Sequence, residues 1–271
     1  MDEAESVLGF DLADILWNGP ESELTATENT QPALFVVSMM AMEWIKERGV
    51  EFDYTAGHSL GEYSALCAAG VFSFADGLRL VRLRGELMSK AGVARPGAMA
   101  AILGLDREPL EQALKESAGA GIVVAANFNS PSQIVISGEK AAVEEAEKRC
   151  TALGAKKVVR LPVSGAFHSP LMEFAVEGLS KGLEKVAFSA PKVPVITNVE
   201  AREISAPAEL KTGLLRQLTS PVRWVESMQK AAALGVTEAI EVGAGKVLMG
   251  LMRGINRDIK VTPAENPEEL P

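Results

Sequence analysis

The sequence predicts an α/β fold, in a chain long enough for one large domain or for one domain plus an insert. Two observations carry the prediction. A strand-like run at residues 52–56 passes through Gly57-His58-Ser59-Leu60-Gly61 into a helix-like run at 62–69. Further on, residues 98–163 read β-α-β-β-α-β, the order of a ferredoxin-like arrangement.

Taken in order, the acidic opening 1–23 has none of the features of a signal peptide. The apolar run 33–42 is broken by Ser38, followed by Glu43, and too short to span a bilayer. It reads as a buried helix, with Thr30 as cap, Pro32 in the first turn and Gly49 at its end. The glycine-flanked Ser59 then has the pattern of a nucleophile elbow, a turn that leaves a serine hydroxyl exposed at the start of a helix. A glycine-rich helix start with Ser59 as an ordinary N-cap is the structural alternative. From 76 to 88 a helix carries Leu80, Leu83, Leu87 and Met88 on one face, and Arg84 falls on that same face. In the middle of the chain, strands are expected at 98–103, 122–126, 134–137 and 157–163, with helices at 107–117 and 140–153. Residues 161–170 pass from a strand into a Gly/Ser/Pro-rich loop that carries His168. After a strand at 238–242, Gly243-Ala244-Gly245-Lys246 lacks the full phosphate-loop spacing and reads as a strand-to-helix turn. The tail 262–271, rich in Pro and Glu, is expected to fray.

Composition narrows the function. The 271 residues are 47% hydrophobic, enough for a substantial core, and the net charge of −9 argues against a nucleic-acid partner. Lys156, Lys157 and Arg160 form a local basic cluster, read as a solvated surface rather than a docking patch for an acidic protein. The two cysteines, Cys67 and Cys150, read as core thiols, and with no Cys/His clusters neither a metal nor another cofactor is expected. The expected location is the cytoplasm, with no membrane segment.

A serine nucleophile needs a base, and there are only two histidines. His58 is next to Ser59 on a tight turn and should point away from its hydroxyl, which leaves His168. A histidine that merely caps a nearby helix is the bland reading of His168. No carboxylate stands out as a third member, so a backbone carbonyl can orient the imidazole. A guanidinium on an apolar face is costly unless an anion meets it. For Arg84 that anion is either an internal Asp or Glu, or a substrate carboxylate held by two parallel N–H···O bonds.

Seven stretches resemble, in order, the malonyl-CoA:acyl carrier protein transacylases of fatty acid synthesis. They are Thr27-Glu28-Asn29-Thr30-Gln31-Pro32-Ala33, Gly57-His58-Ser59-Leu60-Gly61-Glu62-Tyr63-Ser64 and Leu83-Arg84-Gly85-Glu86. Asn127-Phe128-Asn129-Ser130-Pro131 and Gly165-Ala166-Phe167-His168-Ser169 follow. The last two are Gln217-Leu218-Thr219-Ser220-Pro221-Val222-Arg223-Trp224 and Glu241-Val242-Gly243-Ala244-Gly245-Lys246. The resemblance implies a large α/β-hydrolase-like domain with a mainly parallel sheet, residues 1–95 and 165–271, and an inserted ferredoxin-like subdomain, 96–164. It implies Ser59 as the acylated nucleophile, His168 as general base and acid, and Arg84 as the binder of the malonyl carboxylate. It implies that the Gln217 main-chain carbonyl helps orient the histidine, that the Leu60 N–H is one oxyanion donor, and that His58 lines the pocket. Phe167, before His168, matches the malonyl-selective form of the motif. Malonyl-CoA and acyl carrier protein are the implied partners of a chain expected to act as a monomer.

The resemblance has one departure. Relatives open with a strand and a Gly-Gln-Gly-Ser-Gln loop whose first glutamine supplies the second oxyanion donor, and this sequence begins at Met1-Asp2-Glu3-Ala4 without that motif. Losing one such donor costs roughly 10²–10³ in turnover. The expectation is an incomplete or misassigned start, because the remaining residues fit the active pattern. A serine thioesterase and an inactive carrier-binding relative are the alternatives. The short ending, with no long linker, leads us to expect a stand-alone protein.

Overall fold

A computed structural model describes residues 1–163 and 165–265 of the chain. It is an α/β structure whose largest core lies among three helices, Thr27–Glu47, Phe74–Ala94 and Glu173–Glu184. Phe35, Leu66, Leu78, Val81 and Leu179 are among its fully buried side chains. Burying each of the larger ones is worth about 1.5–3 kcal/mol. The helix Phe74–Ala94 starts at Ser73, whose hydroxyl accepts the Asp76 N–H, and runs further in both directions than the stripe alone indicated. Leu83 and Leu87 are only half-buried and lie over the glycines of the Glu173–Glu184 helix.

The helix Thr27–Glu47 corrects one expectation. It begins three residues before Thr30, which is not its cap: the Thr30 hydroxyl donates to the Leu24 carbonyl at 2.5 Å, and Pro32 lies inside the helix. The carbonyl that Pro32 cannot pair, that of Glu28, instead accepts from Arg82 Nη1 at 3.0 Å.

In the unit at 97–160 the four expected strands are present, the second running on to Ser130 and the fourth ending at Arg160. Strands Gly97–Leu103, Val123–Ser130, Gln133–Glu139 and Lys157–Arg160 form one antiparallel sheet, with Gly97–Leu103 and Gln133–Glu139 central. Helices Arg107–Ser117 and Lys140–Ala152 complete it. The period of two is visible in the packing. Ala98, Ala100 and Ile102 join Leu110, Val143 and Ala146 in one core. Met99 and Ala101 face the other way, toward Leu161, Val163 and Phe167. The unit is also tied to the chain beyond Gln217: the Phe128 N–H donates to the Val222 carbonyl at 2.9 Å and the Val222 N–H to the Ala126 carbonyl at 2.8 Å.

Elsewhere the strands are short. Thr55–Ala56 pairs in parallel with Val195–Ile196, which pairs antiparallel with Glu203–Ile204. Glu238–Val242 pairs in parallel with Lys260–Ala264. These are two separate ladders rather than one sheet, brought together by packing of Ala56, Ala239 and Val261. Residues 262–264, expected to fray, belong to the second ladder, and 266–271 lie outside the described residues. Gly243-Ala244-Gly245-Lys246 leads into the helix Val247–Ile255, and the Glu241 carboxylate accepts the Leu248 and Met249 N–H groups at 2.8 and 2.7 Å. A carboxylate of the chain itself therefore occupies the position a phosphate would take. No described helix is long and apolar enough to cross a membrane.

Candidate active site

The elbow is built by close backbone approach. A Cβ on Gly57 would lie 1.9 Å from the Gly61 carbonyl oxygen, so this position accepts only glycine, whereas nothing crowds a Cβ on Gly61. Only the first of the two flanking glycines is thus sterically required. Ser59 sits at φ 51°, in the left-handed region that side-chain-bearing residues rarely adopt. Asn198 holds that strained turn from both sides: its Oδ1 accepts the Ser59 N–H and its Nδ2 donates to the Gly57 carbonyl, both at 2.7 Å. Leu60 precedes the helix Gly61–Ala68, so its N–H lies at the positive end of that helix.

His168 also has a positive φ, 57°. Its Nε2 lies 2.7 Å from the Ser59 Oγ and its Nδ1 lies 2.9 Å from the Gln217 carbonyl oxygen. A carbonyl can only accept, so Nδ1 carries the proton and Nε2 is left to accept from the serine hydroxyl. Gln217 is the last residue of the helix Pro207–Gln217. Its carbonyl is free for this task because the final carbonyls of a helix lack intrahelical partners. The same helix end places a partial negative charge beside an imidazole that would gain a proton. Burial, and then the Arg84 charge, push the His168 pKa down to about 3, which keeps the ring neutral.

Arg84 is 1% exposed. Its Nη1 donates to Gln31 Oε1 at 2.7 Å, and its Nη2 donates to Ser59 Oγ and Gln217 Oε1, each at 3.0 Å. Its Nε has no hydrogen-bond partner among the described residues. Gln31 reaches it because Gly85 lets two helices touch: a Cβ there would lie 2.8 Å from the Glu28 Cα and the Thr27 carbonyl oxygen. Among the described residues no carboxylate forms a salt bridge with Arg84, which removes the internal partner that the sequence left open. The neighbouring arginine, Arg82, does have one in Glu86, at 2.7 Å.

Ser59, His168, Arg84 and Gln217 therefore lie together in one hydrogen-bonded cluster. His58 points elsewhere, its Nε2 2.7 Å from Asn129 Oδ1 and its ring edge-on to Trp224 at 5.6 Å between centroids. Phe167 is half-buried between the main core and the inner face of the four-stranded sheet. Arg160 of the basic cluster is held by Glu147 through two bonds of 2.8 and 2.7 Å, as a solvated surface pair. The thiols of Cys67 and Cys150 are free and pushed up to about 11 by burial. No group of three His, Cys, Asp or Glu among the described residues could hold a metal ion.

Sequence reasoning missed Glu62 and Asn198. Glu62 is 1% exposed and is the only charged residue of the apolar helix Gly61–Ala68, a signal that could have found it. Asn198 follows the two-residue strand Val195–Ile196, and nothing in its local pattern marks it.

A hydroxyl, an imidazole set by a carbonyl and a guanidinium, all in bonding contact, are the parts of a serine acyl-transfer centre for an acid-bearing acyl group. The chain belongs to the acyl transferase domain family, whose model matches residues 2–265. It is 47% identical over 270 residues to the malonyl CoA-acyl carrier protein transacylase of Bacillus subtilis, covering 99% of this chain and 85% of that one. Its identity to the protein of the same name from Escherichia coli K12 is 44% over 269 residues, covering 99% and 87%. Among solved structures it matches a malonyl-transacylase in complex with its type II PKS acyl-carrier protein, at a TM-score of 0.96 and 42% identity, covering 99% and 87%. The acyl carrier protein S-malonyltransferase of Vibrio cholerae matches at a TM-score of 0.93 and 44% identity, covering 97% and 86%.

Proposed function

We propose that this chain transfers a malonyl group from malonyl-CoA to the phosphopantetheine thiol of acyl carrier protein, supplying fatty acid synthesis in the cytoplasm. The observation that carries the reading is the buried Arg84 guanidinium, in contact with the Ser59 hydroxyl and bonded to no carboxylate among the described residues. Such a group is complementary to the free carboxylate of a dicarboxylic acyl chain.

The reaction follows from the hydrogen bonds. His168 Nε2 takes the Ser59 proton as Oγ attacks the thioester carbonyl, and the Leu60 N–H donates to the tetrahedral oxyanion. The C–S bond breaks, CoA leaves with the proton returned by His168, and a malonyl ester remains on Ser59. The carrier thiol then gives its proton to His168 and attacks that ester. Oγ departs and recovers the proton, so the kinetics are ping-pong. Burial, with the Arg84 charge added to it, keeps His168 unprotonated before substrate binds, and Arg84, with Nη2 on Oγ, favours the alkoxide. When a malonyl carboxylate pairs with Arg84, that repulsion is screened and His168 becomes a better base. Phe167 and His58 would border the acyl and pantetheine path, residues 96–164 would form the subdomain on the far side of the cleft, and the chain would act as a monomer.

Intact mass after incubation with malonyl-CoA tests the reading. Wild type is expected to gain one malonyl group and Ser59→Ala none. Release of free malonate without a carrier would instead make the chain a thioesterase, and carrier binding without any adduct would make it an inactive relative.

A further inference from the structure

Resting on the acyl-transfer reading, we infer that Glu62 is a positioning residue: its Oε2 fixes which way the Gln217 side-chain amide faces, and thereby where the Arg84 guanidinium is held. Gln217 is wholly buried, and every polar atom of its side chain is committed. Its Nε2 donates to Glu62 Oε2 at 2.8 Å and to the Ser59 carbonyl at 3.0 Å, while its Oε1 accepts from Arg84 Nη2. The reversed amide would set an NH₂ group against the guanidinium and a carbonyl against three acceptors, the oxygens of Glu62, the Ser59 main chain and Asn198. Of the two orientations only the observed one satisfies the hydrogen bonds.

Glu62 Oε2 is itself fixed by the Asn198 N–H at 3.0 Å. Asn198 is also the residue that clasps the Ser59 turn, so one carboxylate oxygen joins the elbow to the carboxylate clamp. The geometry requires an acceptor oxygen at this reach and makes no demand on its charge. Burial pushes the Glu62 pKa up to about 7, in keeping with a carboxyl held for its oxygen rather than its charge.

Two conservative variants separate reach from charge. Glu62→Gln keeps an acceptor at the same distance and loses the charge, whereas Glu62→Asp keeps the charge and falls one methylene short. Malonyl and acetyl transfer are measured for each beside thermal unfolding. Glu62→Asp is expected to raise the KM for malonyl-CoA about tenfold, with acetyl transfer less affected, while Glu62→Gln stays within about threefold of wild type. The inference is overturned if Glu62→Asp matches wild type. It is also overturned if both variants lose malonyl and acetyl transfer alike, in step with lost thermal stability. The Gln217 side-chain amide resonance, identified with Gln217→Ala, gives a readout independent of the reaction. It should keep its position in Glu62→Gln and move in Glu62→Asp. If wild type takes no malonyl group, the proposed function fails, and this resonance alone then decides the role of Glu62.

Discussion

Ser59 and His168 both occupy the left-handed region, at φ 51° and 57°, and both are held there by bonds from elsewhere in the chain. Such strain persists only where the surroundings over-determine it. The local motif announced the serine, and a count of histidines left one base. The roles of Gln31, Asn198 and Glu62 were not legible, because the partners that define them lie 53 to 155 positions away in sequence. The residue-scale prediction concerns protonation. A base with an ordinary histidine pKa loses acylation rate as pH falls through about 6.5. With His168 pushed down to about 3, acylation of wild type by acetyl-CoA, which brings no carboxylate to Arg84, should not fall through that range. In Arg84→Ala, where the neighbouring charge is gone, the acid limb of acetyl transfer should move to higher pH. A wild-type limb near the ordinary histidine value, unmoved by the substitution, would show that Arg84 does not act on His168.

Elements differ in how much of them the sequence discloses. The helix Arg107–Ser117 and the four strands of the inserted sheet were legible because alternation and turn residues act locally. The strand before the elbow was expected over 52–56 and spans only Thr55–Ala56. Strand length depends on the neighbouring ladder, which no local pattern records. The helix Thr27–Glu47 likewise starts before Thr30, since the turns preceding it, and not a capping hydroxyl, set its beginning. The prediction at this scale is Gly57→Ala. The added methyl meets the Gly61 carbonyl carbon at 2.0 Å, so the turn must open and carry Ser59 away from His168. Loss of acylation and roughly 1–3 kcal/mol of stability are expected, read by intact mass and denaturant unfolding. Gly61→Ala, where a Cβ meets nothing within 4 Å, should be far milder.

At the scale of the whole molecule, the site exists because four segments meet: the elbow at Ser59, the helix carrying Arg84, the loop at His168 and the helix end at Gln217. Their junction is a buried polar network, and its ionisation is linked to stability. Glu62 titrates near 4.5 when unfolded and is raised to about 7 by burial and Glu200, against the opposing bonds from Gln217 and Asn198 and the Arg84 charge. The folded state therefore binds the extra proton between those values. The stability Glu62 contributes is present below about 4.5 and lost as pH rises through about 7. Relative to wild type, Glu62→Gln should gain stability across that interval, measured by unfolding at fixed temperature; a constant difference would contradict the linkage. His168 has the opposite sign, since its neutral burial costs stability as pH falls below 6.5. The most direct test of the central claim, that a buried guanidinium selects the acyl group loaded onto Ser59, is one competition. Wild type and Arg84→Ala are mixed with equal malonyl-CoA and acetyl-CoA, and the adduct masses are followed in time. Wild type should carry malonyl, and Arg84→Ala should lose malonyl loading by roughly 10²-fold while acetyl loading holds or improves. Equal loss of both adducts would mean that Arg84 holds the site together without choosing its substrate.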